Sequence, residues 1–328
     1  MTFPFNFFAA AFLGAFATSL LALPLWRHWC VRVNLVDDPG HRKIHSAPVP
    51  LAGGFAVLTG ILVPLAVGAI LLKLGVVKIS SANAIVHGID RRAIELAVLA
   101  LGAVAITILG WLDDKHELKA LPKFLGQILI AVAVAAACKR ITLFVPSEIF
   151  SYAITILWLL TVINAFNFMD NMNGLCAGAG ALGAFFFALI AAAKGEYLVA
   201  ITGFLMCGAL VGFLPWNFPP ARAFLGDAGS HLVGYLLAVM AILPHFYTKQ
   251  EPHRLAVLAP ILVLAVPLLD LAQVSLFRTL NQKPFWIGDT NHFSHRLVRA
   301  GLSRRSGLQL EIYRRMCTRR NASHVRRL

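Results

Sequence analysis

Charge is scarce in this sequence: only 13% of its 328 residues are Asp, Glu, Lys or Arg, where a soluble domain carries about a quarter. Acid is the scarcer sign, 15 residues against 29 Lys and Arg, which leaves a net charge of +14. Cysteine is sparse too. Cys30, Cys138, Cys176, Cys207 and Cys317 form no close pair and no ligand spacing, so neither a disulfide framework nor a zinc site is implied. The apolar segments lack period-two alternation, which excludes a membrane barrel. No Lys or Arg precedes the first apolar run and no clear small-residue cleavage site follows it. A retained first helix is expected there, not a cleaved signal peptide.

Apolar residues make up 59% of the chain, and they lie in long runs. A helix needs roughly 20 of them to cross a hydrocarbon core. The runs predict an all-α, polytopic membrane bundle of nine spans, at about 6–26, 52–74, 94–112, 122–138, 147–164, 175–193, 197–214, 231–246 and 255–277. Residues 1–277 form the transmembrane domain. Residues 278–328 form a His/Arg loop and a basic tail belonging to the same unit.

Loop charge gives the orientation. The loops 28–51, 113–121, 165–174, 215–230 and 278–328, with flanking Arg27 and Lys123, carry 20 of the 29 Lys and Arg. Excess Lys and Arg mark the cytoplasmic side, so nine spans put the N-terminus outside and the C-terminus inside. Twelve of the 29 lie from Arg278 onward. Beside a membrane such a tail points to anionic lipid headgroups and not to nucleic acid.

The same loops hold the polar groups that could do chemistry. Asp113 and Asp114 close an apolar helix; at helical spacing they point about 100° apart and need not serve one partner. Asn164, Asn167, Asp170 and Asn173 repeat every three residues, one polar stripe if helical. In Phe224-Leu-Gly226-Asp227-Ala-Gly229-Ser230, two glycines bracket a carboxylate, and Asp227 or Ser230 could cap the helix that follows. Asp270 stands inside the last apolar run. Asp289, His292 and His295 again repeat every three residues, with Arg296 beside them, a set suited to metal or diphosphate. Asp37 to His45, with Arg42 and Lys43, leads to Pro48-Val-Pro50 and Gly53-Gly54 at the mouth of the second span. Taken singly, these features also fit helix caps, wet helix ends or helix–helix contacts. Taken together, acids, amides and imidazoles on five loops of one face suit a Mg2+-bound diphosphate.

The ordered set, from about Val33 to Gly301, resembles the polyprenyl-phosphate N-acetylhexosamine-1-phosphate transferases, closest to their N-acetylglucosamine-1-phosphate branch. The resemblance implies a Mg2+- or Mn2+-dependent enzyme of the bacterial cytoplasmic membrane. Its donor is a UDP-linked N-acetylated amino sugar, its acceptor a polyprenyl phosphate such as undecaprenyl phosphate, and UMP is released. It implies a metal ligand at Asp227 and catalytic roles for Asp113, Asp114, Asp170 and His292. It also implies substrate contacts at Lys43, His45, Asn167, Asn173, Phe224, Arg278, His295 and Arg296, with Arg278 in a sugar-selecting loop 278–291. The sequence departs from the common family pattern at Asn173, an amide for a second acid, at Ser294, a hydroxyl for an imidazole, and in its short basic tail after Gly301. Oligomeric state is left open, a homodimer included.

Overall fold

The structure is a computed structural model that describes residues 5–38, 47–75, 90–138, 140–143, 145–218, 220–244 and 258–282. Among the described residues the helices are α1 (Phe5–Arg32), α2 (Gly53–Lys73), α3 (Ala93–His116), α4 (Ala120–Ala137), α5 (Glu148–Met169), α6 (Leu175–Ala193), α7 (Tyr197–Asn217), α8 (Gly226–Met240), α9 (Ala259–Val263) and α10 (Ala265–Leu280). The helical bundle has one addition that hydropathy does not signal. Strands β1 (Val36–Asp37) and β2 (Val49–Pro50) pair antiparallel.

Helices α1 to α7 are long and apolar enough to cross a membrane, and they fall on the first seven expected spans. Their outward faces carry exposed Leu13, Leu21, Leu25, Leu101, Leu129 and Leu157, as a lipid-facing surface requires. The last two expected spans come out differently. Helix α8 has 15 residues and starts at Gly226, five residues before the expected 231. The run expected at 255–277 is broken at Leu264 into α9 and α10. Pro267 has no N–H to offer the carbonyl four residues back, at Val263, so that turn lacks one hydrogen bond and the break falls beside it.

Helix α8 is the centre of the bundle. Every residue from Ala228 to Met240 is buried, and α2, α3, α5 and α6 pack against it. Two buried polar tips tie it down: Tyr235 Oη donates to the Leu99 carbonyl of α3 (3.1 Å), and Trp158 Nε1 of α5 donates to the Ala238 carbonyl (3.1 Å). Backbone bonds hold its entrance. Gly53 N donates to Phe224 O (2.9 Å), Gly54 N to Leu225 O (3.1 Å) and Phe224 N to Pro50 O (3.0 Å). At the same end Trp26, Trp29, Phe55 and Trp111 form an aromatic cluster, with Trp26 and Phe55 centroids 5.0 Å apart. Such rings favour the membrane–water boundary.

Candidate active site

Four helix ends meet beside that cluster. The last turn of α3 brings Asp113 and Asp114, the first turn of α4 brings Lys123, the last turn of α5 brings Asn167, and the first turn of α8 brings Asp227 and Ser230. Lys123 Nζ lies 2.5 Å from Asp113 Oδ2 and 2.8 Å from Asp227 Oδ2, bridging the two carboxylates. Asn167 Nδ2 donates to Asp227 Oδ1 (2.8 Å) and Ser230 Oγ (3.1 Å). The second oxygen of Asp113, Oδ1, accepts from Leu118 N (2.9 Å) in the α3–α4 turn. Of the bridged carboxylates, Asp227 is the more open, its side chain 33% exposed against 10% for Asp113.

Asp114 has a different job. Its Oδ1 accepts from Asp227 N (2.8 Å) and its Oδ2 from Ala228 N (3.1 Å). These are the first N–H groups of α8, which have no partner within their own helix. The carboxylate also faces the positive end of the helix dipole. The expected local cap by Asp227 or Ser230 is therefore replaced by a cap from another helix, 113 residues away in sequence. Gly226 makes room for it: its φ is +71°, and a Cβ there would come within 2.7 Å of Asp114 Oδ2.

The polar stripe on α5 is shorter than its spacing predicts. The helix stops at Met169, and Gly174, at φ +77°, opens α6 from a left-handed turn. Asp170 and Asn173 thus sit in a turn, off the face that carries Asn164 and Asn167. Burial, with the Asp227 charge adding to it, pushes the Asp170 carboxyl up to about 8. Asn217 straps this turn to the loop before α8: its Oδ1 accepts from Gly174 N (2.6 Å) and its Nδ2 donates to Ala223 O (3.0 Å). Phe224 is half-buried in that loop.

Arg278, expected in a loop, is buried in the last turn of α10, its guanidinium 4.9 Å from the Phe168 ring centroid. The apolar pattern simply continues past it to Leu280. Asp270 is buried on the same helix. Lys43, His45, Asp289, His292, His295 and Arg296 lie outside the described residues.

Lys123 was counted from the sequence only as a flanking charge, and Gln127 and His231 were not singled out. The available signal was their polarity. Each is a lone polar or ionisable group in an otherwise apolar run, which in a membrane marks a functional position.

Among the described residues no three or more His, Cys, Asp or Glu stand together as metal ligands. The physical reason is Asp114, turned onto α8, which leaves Asp113 and Asp227 alone facing the centre. The two carboxylates left are hard oxygen donors of the kind Mg2+ takes, and the Lys123 ammonium between them stands where such a cation would be drawn.

A membrane bundle that gathers two carboxylates, a lysine and an amide at one end of its helices defines a class: an integral-membrane protein with a charged polar site at its helix ends. The comparisons name the family. The chain belongs to glycosyl transferase family 4, the polyprenyl-phosphate N-acetylhexosamine-1-phosphate transferases; the family's model matches residues 96–245. It is 30% identical over 311 residues to a probable undecaprenyl-phosphate N-acetylglucosaminyl 1-phosphate transferase of Bacillus subtilis (strain 168), covering 92% of this chain and 80% of that protein. It is 33% identical over 322 residues to decaprenyl-phosphate N-acetylglucosaminephosphotransferase of Mycobacterium tuberculosis (strain CDC 1551 / Oshkosh), covering 90% and 76%. An undecaprenyl-phosphate alpha-N-acetylglucosaminyl 1-phosphate transferase of Salmonella typhi is 25% identical over 314 residues, with 91% and 78% covered. The protein is thus a multi-pass membrane glycosyltransferase, in keeping with the inner-membrane members of its family in bacteria.

Proposed function

We propose that this protein transfers N-acetylglucosamine 1-phosphate from UDP-N-acetylglucosamine to a polyprenyl phosphate, undecaprenyl phosphate in the first instance. UMP is released at the cytoplasmic face, and the product starts a lipid-linked envelope glycan. The observation that carries this reading is the bridge Asp113–Lys123–Asp227, braced by Asn167, at one end of a membrane bundle. A site there meets a soluble nucleotide from one side and a lipid phosphate from the other. The activities of the relatives support N-acetylglucosamine as the sugar.

In the reaction an oxygen of the lipid phosphate attacks the sugar-bearing phosphorus of the donor. The bond to the UMP oxygen breaks, and UMP leaves with its electron pair. Such transfers depend mainly on positioning and charge stabilisation. Asp227 would hold Mg2+, or Mn2+, with Asp113 across from it, and the bound ion would supply charge neutralisation for the departing phosphate. Lys123 is placed to hold a phosphoryl oxygen between the same acids. Asn167 fixes the Asp227 carboxylate. Asp113 orients the acceptor phosphate; with a second pKa of about 6, that phosphate needs little help losing its proton. Asp170 and His292 are proposed to act in catalysis, and Asn173, Phe224 and Arg278, with Lys43, His45, His295 and Arg296, to contact substrate. The proposal includes a nine-span topology with the N-terminus outside.

The test is UMP release by purified protein given Mg2+, undecaprenyl phosphate and each of a panel of UDP-N-acetylated sugars. UDP-N-acetylglucosamine should be the best donor. Asp227→Asn should cut the rate by about 10²–10³ with the melting temperature retained. Wild-type protein that binds lipid phosphate but releases no UMP from any donor would reject the enzyme in favour of a non-catalytic lipid-phosphate binder or transporter.

A further inference from the structure

One helical turn, about 5.4 Å, below the charged layer lies a second layer that repeats it in neutral groups. The same three helices supply both. Helix α4 gives Lys123 to the upper layer and Gln127, four residues on, to the lower. Helix α5 gives Asn167 and, three residues back, Asn164. Helix α8 gives Asp227 and, four residues on, His231. In the lower layer Gln127 Nε2 and His231 Nε2 are 3.2 Å apart, and Asn164 Nδ2 donates to Gln127 Oε1 (2.8 Å) and to its own Leu160 carbonyl (2.8 Å). Gln127 and His231 are sealed from solvent, at 1% and 0% exposure.

The hydrogen bonds fix the proton inventory. Asn164 uses the oxygen of Gln127, so the Gln127 amide points its NH2 at His231. His231 Nε2 must then accept, which makes the ring neutral with its proton on Nδ1. That Nδ1–H faces the Asp227 backbone carbonyl one turn back on the same helix but is too poorly aligned for a full hydrogen bond. A buried donor served so weakly adds little cohesion. Its geometry has another consequence. Helix α4 packs on α3 and α5 and reaches α8 through the side chains of Lys123 and Gln127. Turning α4 by one residue swings both side chains about 100° and breaks both layers together.

We propose that His231 and Gln127, with Asn164, are positioning residues: a neutral layer that sets the rotation of α4 and α5 against α8 and so keeps Lys123 and Asn167 aimed at Asp227. This rests on the transferase reading above and adds residues that do not touch substrate.

The experiment uses the full chain in nanodiscs with UDP-N-acetylglucosamine, undecaprenyl phosphate and Mg2+. His231→Leu should lower kcat on the order of 10–100-fold, as a small misplacement of reacting groups does, with KM for the donor nearly unchanged and a lower melting temperature, because the buried Gln127 amide loses its acceptor. His231→Gln keeps an acceptor oxygen and should recover most of the rate. Gln127→Leu should match His231→Leu, and the double variant should be no slower than either single one, because one contact is lost once. Mn2+ binding followed by electron paramagnetic resonance should weaken in His231→Leu and recover in His231→Gln. Folded His231→Leu with wild-type kcat and Mn2+ affinity overturns the proposal, as do losses that multiply in the double variant. If His231→Leu does not fold, Gln127→Leu reads the same layer from the other side. Wild-type protein without transferase activity strikes the parent reading instead, and Mn2+ binding by the variants still decides this one.

Discussion

Asp113 and Asp114 are chain neighbours whose side chains serve different partners. Asp113 faces Lys123, while Asp114 caps α8. Their alanine variants should therefore fail differently. Asp114→Ala strands two N–H groups at a helix start and should lower stability by about 1–3 kcal/mol, seen as a reduced melting temperature with reduced UMP release. Asp113→Ala frees one N–H, that of half-buried Leu118, and leaves Lys123 paired with Asp227, so the melting temperature should fall less than in Asp114→Ala while UMP release collapses. Equal melting losses in both would remove the division of labour. The acidic pair itself was legible in the sequence, and so was its divergence, because both follow from helical spacing. The capping role was not. It depends on a backbone 113 residues away and on the left-handed Gly226 that lets the carboxylate in.

At the scale of elements, α3 and α8 approach backbone to backbone. A Cβ on Gly110 would run into the Asp227 carbonyl and the Ala228 nitrogen, while one on Gly68 of α2 would meet nothing within 4 Å. Gly110→Ala should cost about 1–3 kcal/mol by overpacking and shift the first turn of α8, which carries Asp227, so UMP release should fall further than stability alone explains. Gly68→Ala should be neutral or gain up to about 1 kcal/mol of helix propensity. Paired melting and rate measurements on the two variants check this; indifference at Gly110 would contradict the close approach. Helix α8 also shows where hydropathy misleads. Its first turn is polar, so the apolar run begins at His231 while the helix begins at Gly226. The break at Leu264 sits three residues before Pro267, next to the Val263 carbonyl that loses its donor, a place hydropathy does not mark.

For the whole molecule, the fold turns up-and-down connectivity into a sided protein: the ends of α3, α5 and α7 and the starts of α2, α4, α6 and α8 lie together with the site. The proposed orientation puts that end in the cytoplasm. Glu117→Cys and Lys194→Cys, both at exposed positions at opposite ends, test it in a background with the native cysteines replaced. A membrane-impermeant maleimide added to intact cells should label Lys194→Cys and spare Glu117→Cys; the reverse pattern would invert the molecule.

The bilayer as solvent, the first seven spans and the gathering of acids and amides on one set of loops can all be read from the chain alone. Those are local properties: hydropathy sums over about 20 neighbours, and alternating spans sort loops without reference to contacts. Only tertiary structure decided that Lys123 bridges Asp113 and Asp227, that Asp114 caps a foreign helix, and that Gln127, His231 and Asn164 form a buried layer beneath the site. Each of these joins residues from different helices, across as many as 114 positions of chain. What selects them is the cost of leaving a polar group unpaired in hydrocarbon, and that cost is fixed only when the helices have packed.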